Sequence, residues 1–421
     1  MRTILHLARL IVGNLFIFSG LVKLNDPLGF SYKLEEYFIE FGMDWGWLHE
    51  ILVPLAAALC IFEIVLGIAV LVGYKFKNAS WLLLLMIIFF TILTFASAVF
   101  EIVRSCGCFG DAIPLTPWES FYKDLILLVL ILLLFFKRNE IIPFPDRNFD
   151  TIYFVISAIA MVFLSIQLEW WMPFYFTVGV LAINLILKFS RANKLGAPIS
   201  TISSALLSLI IGIWAVEHLP FKDFRPYAVG KNIPEQMTLP PNAKPPVYEN
   251  ILTYKNTETG EVVEMNMQEY TASKIWEDKD WEWVSTDNTL IDEGDVAPIT
   301  DFSIVAHGGG EMTDIFMSQE RLVLIVAYDL SAADNSAWDK IREFAIKGSE
   351  QDVITIGLSA ASREEKDKLI AEYNLPLEFY VTDGIVLKTI VRSNPGIVYL
   401  ERGTVKGKWH LNDMPDVNQL R

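Results

Sequence analysis

The chain has 421 residues, 53% of them apolar and only 20% charged, with a mean hydropathy of +0.38. Soluble chains average about 25% charged, so the composition excludes a purely soluble, disordered or collagen-like protein, and three Cys are too few for a disulfide scaffold. Charge is uneven: positions up to His218 hold 14 Lys/Arg and 16 Asp/Glu, net −2, and the remainder holds 20 and 34, net −14. An acidic outer half repels phosphate, which argues against nucleic acid as a partner.

In chain order, seven stretches approach the roughly 20 apolar residues that a membrane helix needs: 4–24, 51–73, 79–100, 120–136, 153–168, 171–189 and 199–219. They predict an α-helical integral membrane bundle with membrane lipid around it. Lys and Arg in short loops set the expected orientation. Arg2, Arg9, Lys75, Lys77, Lys137, Arg138, Arg147, Lys188, Arg191 and Lys194 fall on one side when the spans alternate. The loops 25–50 and 101–120 and the Glu169-Trp170 turn fall on the other. The N-terminus is therefore expected in the cytoplasm and everything after His218 outside, in the periplasm of a bacterial inner-membrane protein. Trp45, Trp47, Trp118, Trp170 and Trp171 mark the expected outer interface. No small-residue cleavage site follows the first span, so it reads as an uncleaved anchor.

Within these spans, Lys23 sits at the outer boundary, where snorkelling to the interface is the simplest account. Cys60 lies about nine residues, or roughly 13 Å, below the outer end of the second span and reads as packing. Glu63 is one turn deeper. A charged carboxylate there is costly, so Glu63 is expected either to be protonated and bonded to a neighbouring helix or to face a partner or proton path.

The loop 101–120 contains Arg104-Ser105-Cys106-Gly107-Cys108-Phe109-Gly110-Asp111. An i,i+2 pair closes a disulfide only if the backbone bends to bring the Cα atoms within about 7 Å, and Gly107 permits that bend. Such a small ring is a poor staple, because longer loops remove more unfolded-state entropy; strained exposed disulfides exchange easily. Arg104 is placed to lower the Cys106 thiol pKa, and Asp111 either opposes this or accepts a proton. A redox pair, an inert turn and a thiolate metal site all remain open, the last weakened by the lack of nearby His.

From Pro220 the composition changes. Seven Pro within 220–248 suggest an extended tether without helix. Residues 251–254 and 262–265 flank Thr257-Glu258-Thr259-Gly260 as a β-hairpin, and the acidic Trp-containing run after Trp276 reads as surface. Further on, strands are expected at 300–305, 321–327, 353–358, 378–381, 396–400 and 405–409, with helices over 338–345 and 364–373. This order resembles a thioredoxin-like α/β domain over about 297–415, with Asn394-Pro395 at the place of that fold's cis-proline. The segment 329–334, where that fold keeps Cys-x-x-Cys, has no Cys, and none occurs beyond Cys108. Without a thiolate the domain cannot exchange disulfides alone.

Ser19-Gly20 and Lys23-Leu24 on the first span, with Cys106-Gly107-Cys108-Phe109-Gly110 after the third, resemble the MauE/DoxX group of redox-associated membrane proteins. The resemblance implies a four-helix membrane module over 1–137 that takes part in disulfide formation or thiol redox outside the membrane, with electrons passing in some relatives to quinone. It assigns Cys106 and Cys108 as the redox pair and extends to Lys23 and Glu63. The remaining expected units are three added helices over 138–219, a Pro-rich tether and small β-rich region over 220–296, and the thioredoxin-like domain over 297–421. The combination is similar to envelope proteins of the Bacteroidetes. The leading expectation is a membrane thiol–disulfide oxidoreductase working on an exported partner protein, with no metal. Its alternative is a non-catalytic envelope adaptor that binds a periplasmic partner through the thioredoxin-like domain. A transporter fits less well, since no inverted repeat is visible.

Overall fold

The computed structural model describes residues 2–100, 107–141, 147–190, 194–239, 241–245, 247–292, 294–333 and 336–420. The first half forms helices α1 (Arg2–Asn25), α2 (Pro27–Glu40), α3 (Gly46–Val72), α4 (Phe76–Phe100), α5 (Pro117–Phe136), α6 (Arg147–Gln167), α7 (Met172–Phe189) and α8 (Gly196–Glu217). All but α2 and α5 are long and apolar enough to cross a membrane. The fourth expected span, α5, is helical throughout but misses that composition, because Glu119, Lys123 and Asp124 lie near its start. It packs along α4 and α1 all the same. Ile92, Ile126 and Ile159, each 64% exposed, belong to an apolar outer surface suited to lipid.

Small residues let α1 and α3 approach closely. A Cβ on Gly67 would stand 2.7 Å from the Gly13 carbonyl oxygen, and one on Gly20 would stand 2.9 Å from that of Cys60. Helix α2 occupies a stretch read as loop. Asp26 caps it by accepting from the Gly29 N–H at 2.8 Å, Pro27 suits its first turn, and Leu34 buries against Leu48, Leu52 and Ala56.

The two sets of loops that differ in charge lie at opposite ends of the bundle. At one end Arg9 donates to the Val70 and Leu71 carbonyls at 2.6 and 3.0 Å, and Lys188 bonds Asp150 at 2.5 Å. At the other end the Asn25 side chain exchanges hydrogen bonds with the Lys222 backbone at 2.7 and 3.1 Å, and the soluble half is seated there.

The segment 220–237 is not a free tether. Tyr227 and Ile233 are buried with Phe302, Phe316 and Val405, and Ile233 starts the short helix α9 (Ile233–Gln236). Val405 exchanges backbone bonds with Gly230 and Lys231 at 2.7 and 2.8 Å. Burial of these apolar side chains outweighs the extended bias of the prolines. Strands β1 (Val247–Asn256), β2 (Val262–Asn266) and β3 (Trp281–Asp292) form a sheet in the order β2-β1-β3, with α10 (Met267–Ser273) between β2 and β3. The hairpin is as expected; β3 was read only as acidic surface.

After α11 (Thr313–Met317) comes a second sheet of β4 (Leu322–Val326), β5 (Ile354–Ser359), β6 (Phe379–Val381), β7 (Gly396–Glu401) and β8 (Thr404–His410), ordered β6-β5-β4-β7-β8. Strands β4, β5 and β6 are parallel, and β7 and β8 antiparallel to their neighbours. Helices α12 (Ala337–Ser349), α13 (Arg363–Tyr373) and α14 (Gly384–Ile390) intervene. Every residue of β4 is buried, as befits a strand covered on both faces. The strand expected at 300–305 does not form; Val305 makes only isolated bridges. Its neighbours are bonded locally instead, the Ile304 N–H to Thr313 Oγ1 at 2.9 Å and the Ile304 carbonyl to the Met312 N–H at 2.8 Å. Helix α14, capped by Asp383, was not foreseen. The Asn394–Pro395 bond is cis.

Candidate functional site

The loop between α4 and α5 is described from Gly107 onward; Cys106 and Arg104 lie outside the described residues. Gly107 and Gly110 both have positive φ, +66° and +51°, which a residue with a Cβ adopts at a cost. The Gly110 N–H donates to the Gly107 carbonyl at 3.0 Å, closing a tight turn around Cys108. Ser19 of α1 donates its hydroxyl to the Cys108 carbonyl at 3.1 Å, and Phe109 is buried 5.7 Å from Phe18. The Ser19-Gly20 motif thus carries two jobs: Gly20 seats α3 against α1, and Ser19 pins the Cys loop.

Beneath this loop is a cavity of about 320 Å³. Phe16, Ile87, Phe90, Leu93 and Leu127 form much of its apolar wall, and Ser19, Lys23, Tyr37, Glu63, Cys108 and Lys123 bring polar groups to it, with Asp124 beside them. Lys23 does not snorkel. Its ammonium turns inward, buried, and pairs with Glu63, with the rings of Phe90 and Phe30 5.1 and 5.3 Å away. The carboxylate cost at depth is met by this partner rather than by a lone hydrogen bond.

A second pair comes from α5. Lys123 bonds Asp124 at 2.7 Å and lies 5.3 Å from the Phe109 ring, and Thr94 donates to the other Asp124 oxygen at 3.2 Å. Ser97 donates to the Tyr37 hydroxyl at 3.2 Å. Lys23 and Lys123 both interact electrostatically with Cys108. Cys60 is fully buried near the α1 contact and does not line the cavity.

Asp111 does not reach the cavity. It stands on the upper side of the loop, where Arg392 of the soluble domain bonds it at 3.4 Å and Asp26 at 2.8 Å. Burial alone would push the Asp26 carboxyl up; the Arg392 and Arg225 charges and the Gly29 N–H outweigh it and hold the group below the usual carboxylate range. In the soluble domain, the segment after β4 forms a turn in which Asp329 Oδ1 accepts from the Ser331 N–H at 2.8 Å and its hydroxyl at 2.6 Å. Asn394, next to the cis bond, donates to the Asp329 carbonyl at 2.7 Å. Among the described residues no cluster of His, Cys, Asp or Glu is arranged to hold a metal ion.

Of the residues singled out in the sequence, Lys23, Glu63 and Cys108 meet at the cavity and Asp111 stands apart from it; Tyr37, Lys123, Asp124, Asp26 and Arg392 were not singled out. An adjacent Lys-Asp entering an apolar helix was the available signal for α5; nothing local marked Arg392.

Residues 1–137 match the family described as methylamine utilisation protein MauE, so the cavity and its loop belong to a MauE-like membrane module. Protein TlpB of Flavobacterium psychrophilum is 27% identical over 171 residues, which cover 38% of this chain and 42% of that protein. The chain thus spans less than half the length of that relative. No solved structure matches the chain.

Proposed function

We propose that this chain is a membrane thiol–disulfide oxidoreductase of the bacterial inner membrane, with its Cys loop and soluble domain on the periplasmic side. The observation that carries the reading is that Cys108 lines the same cavity as the buried Lys23–Glu63 pair and Lys123. A stability-driven bundle would fill this space with apolar side chains, since buried ion pairs seldom repay their desolvation; ionisable groups at such depth go with function.

Cys106 and Cys108 form the exchanging pair. Oxidation of their dithiol to a disulfide releases two electrons and two protons, which convert a quinone to its quinol, and the disulfide then exchanges with two thiols of an exported protein, restoring the dithiol. The cavity suits such an acceptor by its size, its apolar wall and its two ammonium donors. Lys23 and Lys123 would hold its carbonyl oxygens, with their partners Glu63 and Asp124 beside it. The thioredoxin-like soluble domain, with no Cys, binds rather than transfers.

Acid-quenched thiol trapping in intact cells tests this. A disulfide between Cys106 and Cys108, or a mixture that shifts with respiratory inhibitors, is expected, and Cys106→Ser or Cys108→Ser should change the thiol content of exported proteins. Two permanently reduced thiols that ignore oxidants and inhibitors would overturn it and leave the adaptor reading, which the Cys-free soluble half favours.

A further inference from the structure

Arg392 lies between α14 and β7 of the soluble domain, yet its partners are in the membrane module. Its side chain is 6% exposed. Nε donates to both Asp26 oxygens at 2.8 and 3.1 Å, Nη2 donates to Asp111 at 3.4 Å, and Nη1 donates to the Lys388 carbonyl. The guanidinium sits 5.3 Å from the Tyr32 ring. Gly29 leaves room for it, since a Cβ there would stand 2.7 Å from Nη2.

The two carboxylates belong to different parts of the module. Asp26 ends α1 and caps α2, three residues beyond the buried Lys23. Asp111 is three residues beyond Cys108, on the overlapping next turn, which the Ala112 N–H closes by donating to the Phe109 carbonyl at 3.2 Å. One guanidinium therefore ties the Cys108 turn to the end of α1. Further contacts seat the domain: Lys388 lies 3.6 Å from Glu35, Tyr328 meets Tyr32 edge-on at 6.5 Å, and His218 bonds Asp413 at 2.7 Å.

We propose that the soluble domain is a built-in part of the thiol site, and that Arg392 is a positioning residue that holds the Cys108 loop closed over the cavity through Asp111 and Asp26. The domain that carries no cysteine then works in cis, on the module's own thiols. A fork-shaped guanidinium suits this role because it meets two carboxylates at once, which an ammonium cannot do with the same geometry. The inference rests on the proposed function only in taking Cys108 as the working thiol.

The test uses the full-length protein in membrane vesicles with Cys106→Ser, following maleimide labelling of Cys108 by peptide mass. Arg392→Gln and Asp111→Asn are each expected to speed labelling about tenfold, which corresponds to about 1.4 kcal/mol. The double variant should add little to Arg392→Gln, because both changes cut the same contact. Arg392→Lys, keeping the charge but not the fork, should recover part of the protection. Arg402→Gln, which breaks the exposed Arg402–Glu320 pair of the same domain, should leave the rate unchanged. Rates within about twofold of the parent in both single variants, or fully multiplicative effects in the double, would overturn the proposal. Labelling needs no redox cycle, so a failure of thiol trapping in cells would remove the proposed function while leaving this positioning role standing.

Discussion

Glu63→Gln is the most informative single change, because it leaves the Lys23 ammonium buried without its carboxylate. Both side chains are almost wholly enclosed, 4% and 7% exposed. Breaking such a pair from one side costs about 3–5 kcal/mol, whereas replacing both members by apolar groups of similar volume is often neutral or stabilising. For a bundle of this size that is a fall of roughly 10 °C in apparent Tm. Cys60, 0% exposed on α3, supplies the assay: with Cys106 and Cys108 changed to Ser, a thiol-reactive dye reports heating-induced opening of the α1–α3 contact. Glu63→Gln and Lys23→Met should each melt early, and Lys23→Met with Glu63→Leu should melt near the parent. Single variants that melt with the parent, or a double variant that melts at the sum of the two losses, would refute the argument that these charges depend on each other. Made in a chain that keeps Cys106 and Cys108, the same pair of substitutions should prevent their re-oxidation, because it restores packing and not the ionisable groups of the cavity.

The Asp26 carboxyl is held below its usual range by Arg392 and Arg225 against burial; its contribution is complete above the unfolded value of about 3.9 and lost as pH falls through the lower folded value. Proteolytic release of the soluble domain should therefore be slower in the parent than in Asp26→Asn by a margin that holds from neutral pH down to about 4 and shrinks only below it, and a margin already lost at pH 6 would contradict the pairing. Burial, then repulsion from Arg225, pull Lys408 down to about 7 despite Asp223 at 2.5 Å. The unfolded chain then binds a proton that the folded one lacks between about 7 and 10, so stability should climb over that window, and Lys408→Met should flatten the climb in denaturation series. Gly67→Ala puts a Cβ 2.7 Å from the Gly13 carbonyl oxygen and 2.8 Å from Ile17 Cγ1; overpacking of this kind costs about 1–3 kcal/mol, read by the same Cys60 assay as earlier opening.

Much of the helical framework was legible because hydropathy alone marks a helix in lipid, where the backbone must satisfy itself. The strands β4, β5 and β7 were legible for a related reason, as mostly apolar runs between turn residues, and β8 by the Glu401-Arg402-Gly403-Thr404 turn that leads into it. What failed to show was whatever depended on distant packing. Helix α2 was hidden by Glu35, Glu36 and Glu40, which make its stretch look like a polar loop. Residues 220–237 looked like a tether because they open a stretch, 220–248, whose seven prolines outvote two apolar anchors in a local reading, yet Tyr227 and Ile233 are buried against β8. Cys108, Asp111 and Glu63 stood out by chemistry. Their pairings did not, since Lys23 meets Glu63 across a helix pair and Arg392 meets Asp26 across 366 positions.

The separation of thiols from cations along the chain explains the architecture better than either half does alone. A thiol on a short loop at a membrane surface is open to any passing oxidant or electrophile, and a glycine-flanked turn has little stiffness of its own. Stiffness here comes from three directions: Ser19 from α1, Phe109 packed on Phe18, and Arg392 from the soluble domain. The first two belong to the MauE-like module. The third is added by the fused domain and crosses to the module through a largely buried ion pair, with the Arg392 side chain 6% exposed and that of Asp26 17%. A domain without cysteines has no thiol to exchange, but the proposed role for Arg392 needs none: it acts through the contacts to Asp26 and Asp111.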